Sequence, residues 1–428
     1  MERLMQYVWQ HRLALRPGMT TVDGRRLTVL DPGTLNTNSG PDFFNAKIRI
    51  ADHTWVGDVE IHVRASDWHR HGHDGDPAYD SVVLHVVDCD DTPISRSNGE
   101  TIPQFAMKCE PEFHRRFTDL TGRAESELPC SPGIAQMPAP HLRSWLDALA
   151  FERVQEKAAR ISDILERSSG DWETACYVTV ARSLGFGANG DPFQRLAMSV
   201  PLRVVGRHSD SLAAIEALLF GQSGLLDEAP AAGDGYVQRL RTDYAFFTAK
   251  FGLRAPRPML WKKRMRPAGL PHRRIALLAA MLHGGFRMMS RILEITDIEG
   301  AVKLFTPALT GYWTTHYNFS APAARVPEHL SRASICSLAI NTIVPLQWAF
   351  GTSHNDFALT DRAIDLLHSL PAESNTITDF FTRNGLRPRS AFDSQALIQL
   401  RNAYCLQRKC LYCRIGHRLL SAAALRRQ

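Results

Sequence analysis

The sequence predicts an α+β protein, with a mixed α/β domain over residues 1–135 followed by a mainly α-helical region over 136–428. Three observations carry this reading. Residues 31–87 alternate apolar and polar side chains with period 2 between turn-forming residues, the pattern of β-strands. From His141 onward the apolar side chains recur at helical spacing instead. Between the two, Pro, Ser and Gly cluster over 129–140, a composition that marks a boundary.

Each element follows in order. Residues 2–13 put Leu4, Val8, Trp9 and Leu13 roughly on one side of a helix. A strand is expected near Arg26–Leu30, stopped by the turn Asp31-Pro32-Gly33. An Asn-rich loop leads to a hairpin with strands Ala46–Ile50 and Trp55–Val63 joined around Ala51–Thr54. Arg64–Asp80 mixes Ser, Asp, His and Gly and reads as a functional loop with a helical turn. Ser81–Val87 suits a buried strand, and another is expected over Thr101–Lys108. Leu142, Leu146, Leu149 and Val154 open the helical region. Further helices are expected at 171–184, 192–200, 211–226, 236–251, 273–293, 333–349, 360–369 and 393–404. No fixed-period repeat supports a solenoid.

A chain of 428 residues with 44% hydrophobic and 22% charged side chains has the composition of a soluble globular protein. No run approaches the roughly 18 apolar residues of a membrane span, and the N-terminus lacks the apolar core of a signal peptide. Eight dispersed cysteines argue against a disulfide scaffold. The expectation is a cytoplasmic protein without membrane contact. Its formal charge of +6 is uneven, with basic clusters in the C-terminal two-thirds and an acidic stretch over 73–91. A locally basic face points to phosphate-bearing partners, nucleic acid among them.

The chemistry concentrates in the hairpin. Asp42, at the mouth of one strand, and Glu60, in the next, can lie side by side, and paired carboxylates bind a hard cation such as Mg²⁺ or Mn²⁺. Alternation puts Asp58, Glu60 and His62 on one face of their strand, so Asp42, Asp58 and Glu60 are the expected ligands. His62 is placed to orient or deprotonate a water. His71 and His73 follow in the loop Trp68–Asp74, with His85 in the next strand, and imidazoles with a carboxylate suit Zn, Mn or Fe. A polar sheet face and a solvated loop are the bland alternatives.

Two further clusters lie outside this stretch. Cys405, Cys410 and Cys413 are spaced C-x4-C-x2-C, with His417 four residues after the last. The set fits a Cys3His zinc site, whereas an iron–sulfur arrangement needs a fourth ligand from elsewhere. The segment Arg257–Arg274 is basic and broken by prolines. Lys262, Lys263, Arg264, Arg266, Arg273 and Arg274 offer phosphate contacts there, and Trp261 offers a stacking surface.

Pro41-Asp42 before one strand and Glu60-Ile61-His62 in the next resemble the PD-(D/E)xK phosphodiesterases, with His62 where that pattern has lysine. The resemblance implies a restriction-endonuclease-like first domain and a metal-dependent nuclease acting on DNA or RNA, with Asp42, Glu60 and His62 catalytic; His71 or His73 of the neighbouring loop is expected to give a proton to the leaving oxygen. Longer stretches, DPGTLNTNSGPDFFNAKI, GDVEIHVRASDWHRHGH, RMRPAGLPHRRIALLA, INTIVPLQWAFG and KCLYCRIG among them, resemble one bacterial family, domain of unknown function 2851, over nearly the whole chain. That family implies no activity. Two other readings stay open beside the nuclease: a non-catalytic, zinc-stabilised scaffold that binds nucleic acid or protein, and a metal-dependent hydrolase of small substrates.

Overall fold

The alternation over residues 43–64 folds into one long hairpin. Strands β1 (Leu27–Asp31) and β2 (Thr34–Leu35) precede its two arms, β3 (Phe43–Ile50) and β4 (His53–Arg64). Ile50 faces His53, leaving Ala51-Asp52 as a two-residue turn with Ala51 at positive φ. β1 and β2 both pair antiparallel with β3. On its other side β4 runs parallel to β5 (Val82–Cys89), which runs parallel to β6 (Gln104–Ala106). A parallel pair needs a crossover, and here residues 65–81 supply it. The computed structural model describes the whole chain except residues 37, 110, 123–127, 135–136, 230–233, 255–258, 265–268, 321, 325 and 426–428.

The period of β4 sorts its side chains between two faces. Val59 and Ile61 enter the main apolar cluster with Leu4, Met5, Val8 and Trp9 of helix α1 (Glu2–Gln10). Glu60 and His62 point the other way. There a smaller cluster of Trp68, Val82, Ile94 and Ile102 lies beneath the crossover, whose first turn is helix α2 (Asp67–Arg70). Glu60 pairs with His85 across the parallel ladder, so His85 emerges on the same face. This crossover face carries the histidines.

The chain divides into two compact units at places that differ from the expected boundary at residue 135. One is Met1–Leu142 together with Arg401–Gln428, the other Arg143–Leu400. The C-terminal segment, expected to close the helical region, belongs with the sheet because Leu411 and Leu420 are buried in the sheet unit's main cluster. Helices α3 (Pro111–Thr121) and α4 (Ser131–Ile134) complete that unit with the C-terminal helix Arg414–Leu425. α5 (Ala139–Arg167) leads into the second unit, which is nearly all helix. The fold is α+β, as expected.

Two helical expectations change in detail. The helix expected over 273–293 is two, Pro271–Leu282 and Met288–Glu294, separated at Gly284 and Gly285, both at positive φ. The helix expected over 333–349 lengthens to Arg332–His354, with a π-helical turn at Ala339–Ile343. At 23 residues it is long and apolar enough to cross a membrane by length and composition, contrary to the sequence reading, and 67% of its apolar window is buried inside the protein.

Against this helix lies the fully buried ammonium of Lys157, which donates to the Ile340 carbonyl and, at 2.6 Å, to Gln395 Oε1. Burial and then Arg153 lower its pKa to about 7. A folded-state value below the unfolded one penalises folding at low pH and releases that penalty as pH rises through it. The stability of the helical unit is therefore expected to rise between about pH 7 and the ordinary lysine range. In Lys157→Met the slope flattens, which urea unfolding at pH 7, 8 and 9 will read.

Candidate metal centre

The hairpin register sets Phe43 opposite Val59, which brings Asp42 beside Glu60. The Asp42 N–H donates to Glu60 Oε2 at 3.0 Å, and the Ile61 N–H donates back to Asp42 Oδ2 at 3.1 Å. Asp42 Oδ1 accepts from the side-chain amide of Gln6 at 2.8 Å. Both Asp42 oxygens are thus held by neutral donors, while Glu60 presents Oε1 to the crossover face.

Three imidazoles meet Glu60 there. His62 Nε2 lies 3.4 Å and His73 Nε2 3.5 Å from Glu60 Oε1. His71 Nδ1 lies 3.1 Å from His62 Nε2. Among the described residues, His62, His71 and His73 form the one group of metal-type side chains with donor atoms all within 4.8 Å of one another. The arrangement is braced from behind. His62 Nδ1 is hydrogen-bonded to His85 Nε2 at 2.9 Å, and His73 stacks on Tyr79 with ring centroids 3.7 Å apart. His85 is fully buried, and its Nδ1 has no hydrogen-bond partner among the described residues.

Electrostatics leave the pocket short of positive charge. Burial, then His71 and His73, lower the His62 pKa to about 3, and burial and His62 push His85 well below the ordinary range. Both rings are neutral near pH 7, the form that ligates metals. Burial raises both acids, and Asp42 raises Glu60 further. Glu2, one turn before Gln6 on α1, adds to the repulsion on each. A cation here relieves two confined carboxylates and meets neutral nitrogen donors. The polar spacing of Glu2 and Gln6 was visible in the sequence, but the reading of α1 followed only its apolar side.

Other expected site residues are placed differently. Asp58 is not part of the cluster. The β4–β5 register slips between Asp58 and Val59, and the carboxylate accepts from the Asn45 N–H at 3.0 Å and the Ser81 hydroxyl at 2.6 Å. Asn45 is itself at positive φ where the β3–β4 register slips, so Asp58 closes a bulge. His417 is turned toward α1, its Nδ1 2.7 Å from the Tyr7 hydroxyl and its ring 4.5 Å from that of His11. Among the described residues, no group of donor atoms within 4.8 Å of one another joins His417 to the three cysteines of the expected Cys3His set.

The expected nucleic-acid loop is largely folded inward. Trp261 donates to the Ser223 carbonyl at 2.9 Å and sets its ring edge-on to Phe193, so it is not a free stacking surface. Arg273 is buried and donates to the carbonyls of Trp313 and Pro327. Arg274 is buried over the Phe186 ring at 4.4 Å. Burial of the helix on all sides decides this: both arginines sit in the helix Pro271–Leu282, which is buried along nearly its whole length. Lys262, Lys263 and Arg264 are exposed, with Lys263 paired to Glu228, and Arg266 lies outside the described residues. Cations converge elsewhere in the helical unit, where Arg153, Lys157, Arg160 and Arg182 line a cavity of about 330 Å³.

A family model described as a protein of unknown function (DUF2851) matches residues 2–376. No curated protein and no solved structure matches the chain.

Proposed function

The chain belongs to the DUF2851 family, and for it we propose a metal-dependent phosphodiesterase that cleaves DNA or RNA at the histidine–carboxylate centre of the sheet unit. The observation that carries this is the convergence of His62, His71 and His73 within 4.8 Å, with Glu60 Oε1 at 3.4 and 3.5 Å from two of them. Three imidazoles and one carboxylate favour Mn²⁺, Fe²⁺ or Zn²⁺ over Mg²⁺. Such an ion, when bound, supplies Lewis acidity and an acidified water. Glu60, His62, His71 and His73 hold it. His85 sets the tautomer of His62, and Asp42 holds Glu60 through its backbone N–H. His71 is the exposed imidazole, on the side that a substrate reaches. In the reaction one water adds to phosphorus, one P–O ester bond breaks, and the leaving oxygen takes up a proton.

The choice of a phosphodiester rests on the carboxylate pair of adjoining strands, ordered as in the PD-(D/E)xK pattern. The nitrogen-rich donor set favours a second reading, a hydrolase of small substrates at the same centre. Metal analysis of the purified protein, with Mn²⁺- and Zn²⁺-supported cleavage of single- and double-stranded DNA, RNA and bis(p-nitrophenyl) phosphate, separates the two. Nucleic-acid cleavage that disappears in His71→Ala supports the proposal. Turnover of the small ester alone moves the assignment to the second reading. A metal-loaded protein inert on every substrate leaves a binding scaffold.

His85→Phe is expected to weaken metal binding about 10–100-fold, the usual consequence of removing the partner that orients a ligating histidine. Competition against a fluorescent chelator measures it. An unchanged affinity removes His85 from the centre.

A further inference from the structure

We propose that Cys130, Cys405, Cys410 and Cys413 form a second, four-thiolate centre that holds zinc and ties the C-terminal segment to the sheet unit. Its fourth ligand is thus a cysteine 275 positions before the next, rather than His417.

Backbone geometry gathers the three C-terminal thiols. The helix Ala391–Gln399 runs on into a π-helical turn that ends at Cys405. Arg408, at positive φ, then reverses the chain, its N–H donating to the Cys405 carbonyl and the Lys409 N–H to that of Tyr404. Cys410–Tyr412 is a single 3-10 turn, closed from Cys413 N–H to the Cys410 carbonyl at 3.3 Å. The C-terminal helix starts directly over this turn. A Cβ on Gly416 would stand 2.1 Å from the Cys410 oxygen, so the approach requires glycine.

Cys130 arrives from the other end of the sheet unit. It sits in the turn just before α4, and α4 packs on the C-terminal helix so closely that a Cβ on Gly133 would meet Leu419 at 2.0 Å. Cys410 Sγ lies 3.6 Å from the Leu120 carbonyl at the end of α3. Cys130 and Cys410 both pack against the apolar cluster that buries Leu411 and Leu420. Burial, then Cys405, Cys413 and Cys410 in turn, raise the Cys130 thiol, and Cys413 and Cys410 likewise raise Cys405. The four sulfurs therefore lie within electrostatic reach of one another, and none is joined in a disulfide. Among the described residues no three of these sulfurs lie within 4.8 Å of one another, so a bound ion would draw them inward. Four thiolates around one ion make a tetrahedral sulfur site, the coordination of structural zinc.

The test uses the full chain and does not depend on turnover. X-ray absorption at the zinc edge, in a His71→Ala background that disables the imidazole centre, is expected to show a shell of four sulfurs near 2.3 Å. Cys130→Ser is expected to lose most of this zinc, as Cys413→Ser does, while His417→Ala keeps it. Where a cysteine variant does not fold, alkylation of the unsubstituted protein followed by mass spectrometry replaces it. Cys130, Cys405, Cys410 and Cys413 should then be protected together and become reactive together on chelation. Zinc retained in Cys130→Ser, zinc lost in His417→Ala, Cys130 alkylated independently of the other three, or iron with acid-labile sulfide in place of zinc each overturn the proposal.

Discussion

Glu60→Gln is expected to reduce phosphodiester cleavage about 10³-fold, a loss of about 4 kcal/mol of transition-state stabilisation, while leaving the fold intact. The amide oxygen of glutamine can still accept from the Asp42 N–H, as Glu60 Oε2 does at 3.0 Å. What glutamine cannot do is ionise beside His62 and His73. Glu60 is raised by burial and by Asp42 and Glu2, so the metal-free folded protein holds its proton above the ordinary carboxylate range. A raised acid stabilises the fold below its unfolded value of about 4.5, and that contribution is lost as pH rises through the folded value. Metal-free wild type is therefore expected to lose stability relative to Glu60→Gln as pH rises from about 4.5 to about 9, and no further above that. Metal binding, which releases the proton, should strengthen more steeply over the same range in wild type than in Glu60→Gln. Chelator competition and urea unfolding across pH read both effects. Equal metal affinity in the two proteins would remove Glu60 from the ligand set.

Trp9→Ala is expected to cost the sheet unit about 3–5 kcal/mol, the range for truncating a fully buried aromatic residue. Trp9 is wholly inside the cluster that includes Val59 and Ile61, and its indole N–H donates to the Pro32 carbonyl at 3.0 Å. Val59 and Ile61 alternate with Glu60 and His62 along β4. A void under the first pair therefore loosens the strand that presents the second. Trp9→Phe keeps most of the volume and leaves the carbonyl unpaired, for about 1–3 kcal/mol. Because the chain has two units, unfolding is followed with a probe in the sheet unit rather than as one transition. A loss below 1 kcal/mol in Trp9→Ala would show that α1 is not anchored through this residue.

Much of this protein was legible because the decisive patterns are local. Period-2 alternation defines both arms of the hairpin, and a short turn between them sets the register over Ala46–Ile50, but it is the slip at Asn45 that shifts the pairing by one residue and sets Asp42 beside Glu60. Helical periodicity likewise placed most of the second unit. Where local patterns broke, the reading broke with them. A register slip between Asp58 and Val59 removed Asp58 from a row of acids that alternation alone had drawn. Arg273 and Arg274 looked like a basic surface in one dimension, yet their helix is buried on all sides. Charge in a sequence carries no sign of which way its helix faces.

The amino-acid sequence by itself determined the α+β division, the strands that carry the acids, and the spacing of three C-terminal cysteines. These depend on the conformational preferences of neighbouring residues. Only the tertiary structure decided which distant side chains share a space. The parallel β4–β5 pairing sets His85 behind His62, and the crossover folds His71 and His73 over Glu60. Burial of Leu411 and Leu420 returns the C-terminus to the sheet unit, where Cys130 waits. Each of these contacts joins residues through long-range packing and strand pairing, which leave no periodic trace in the chain.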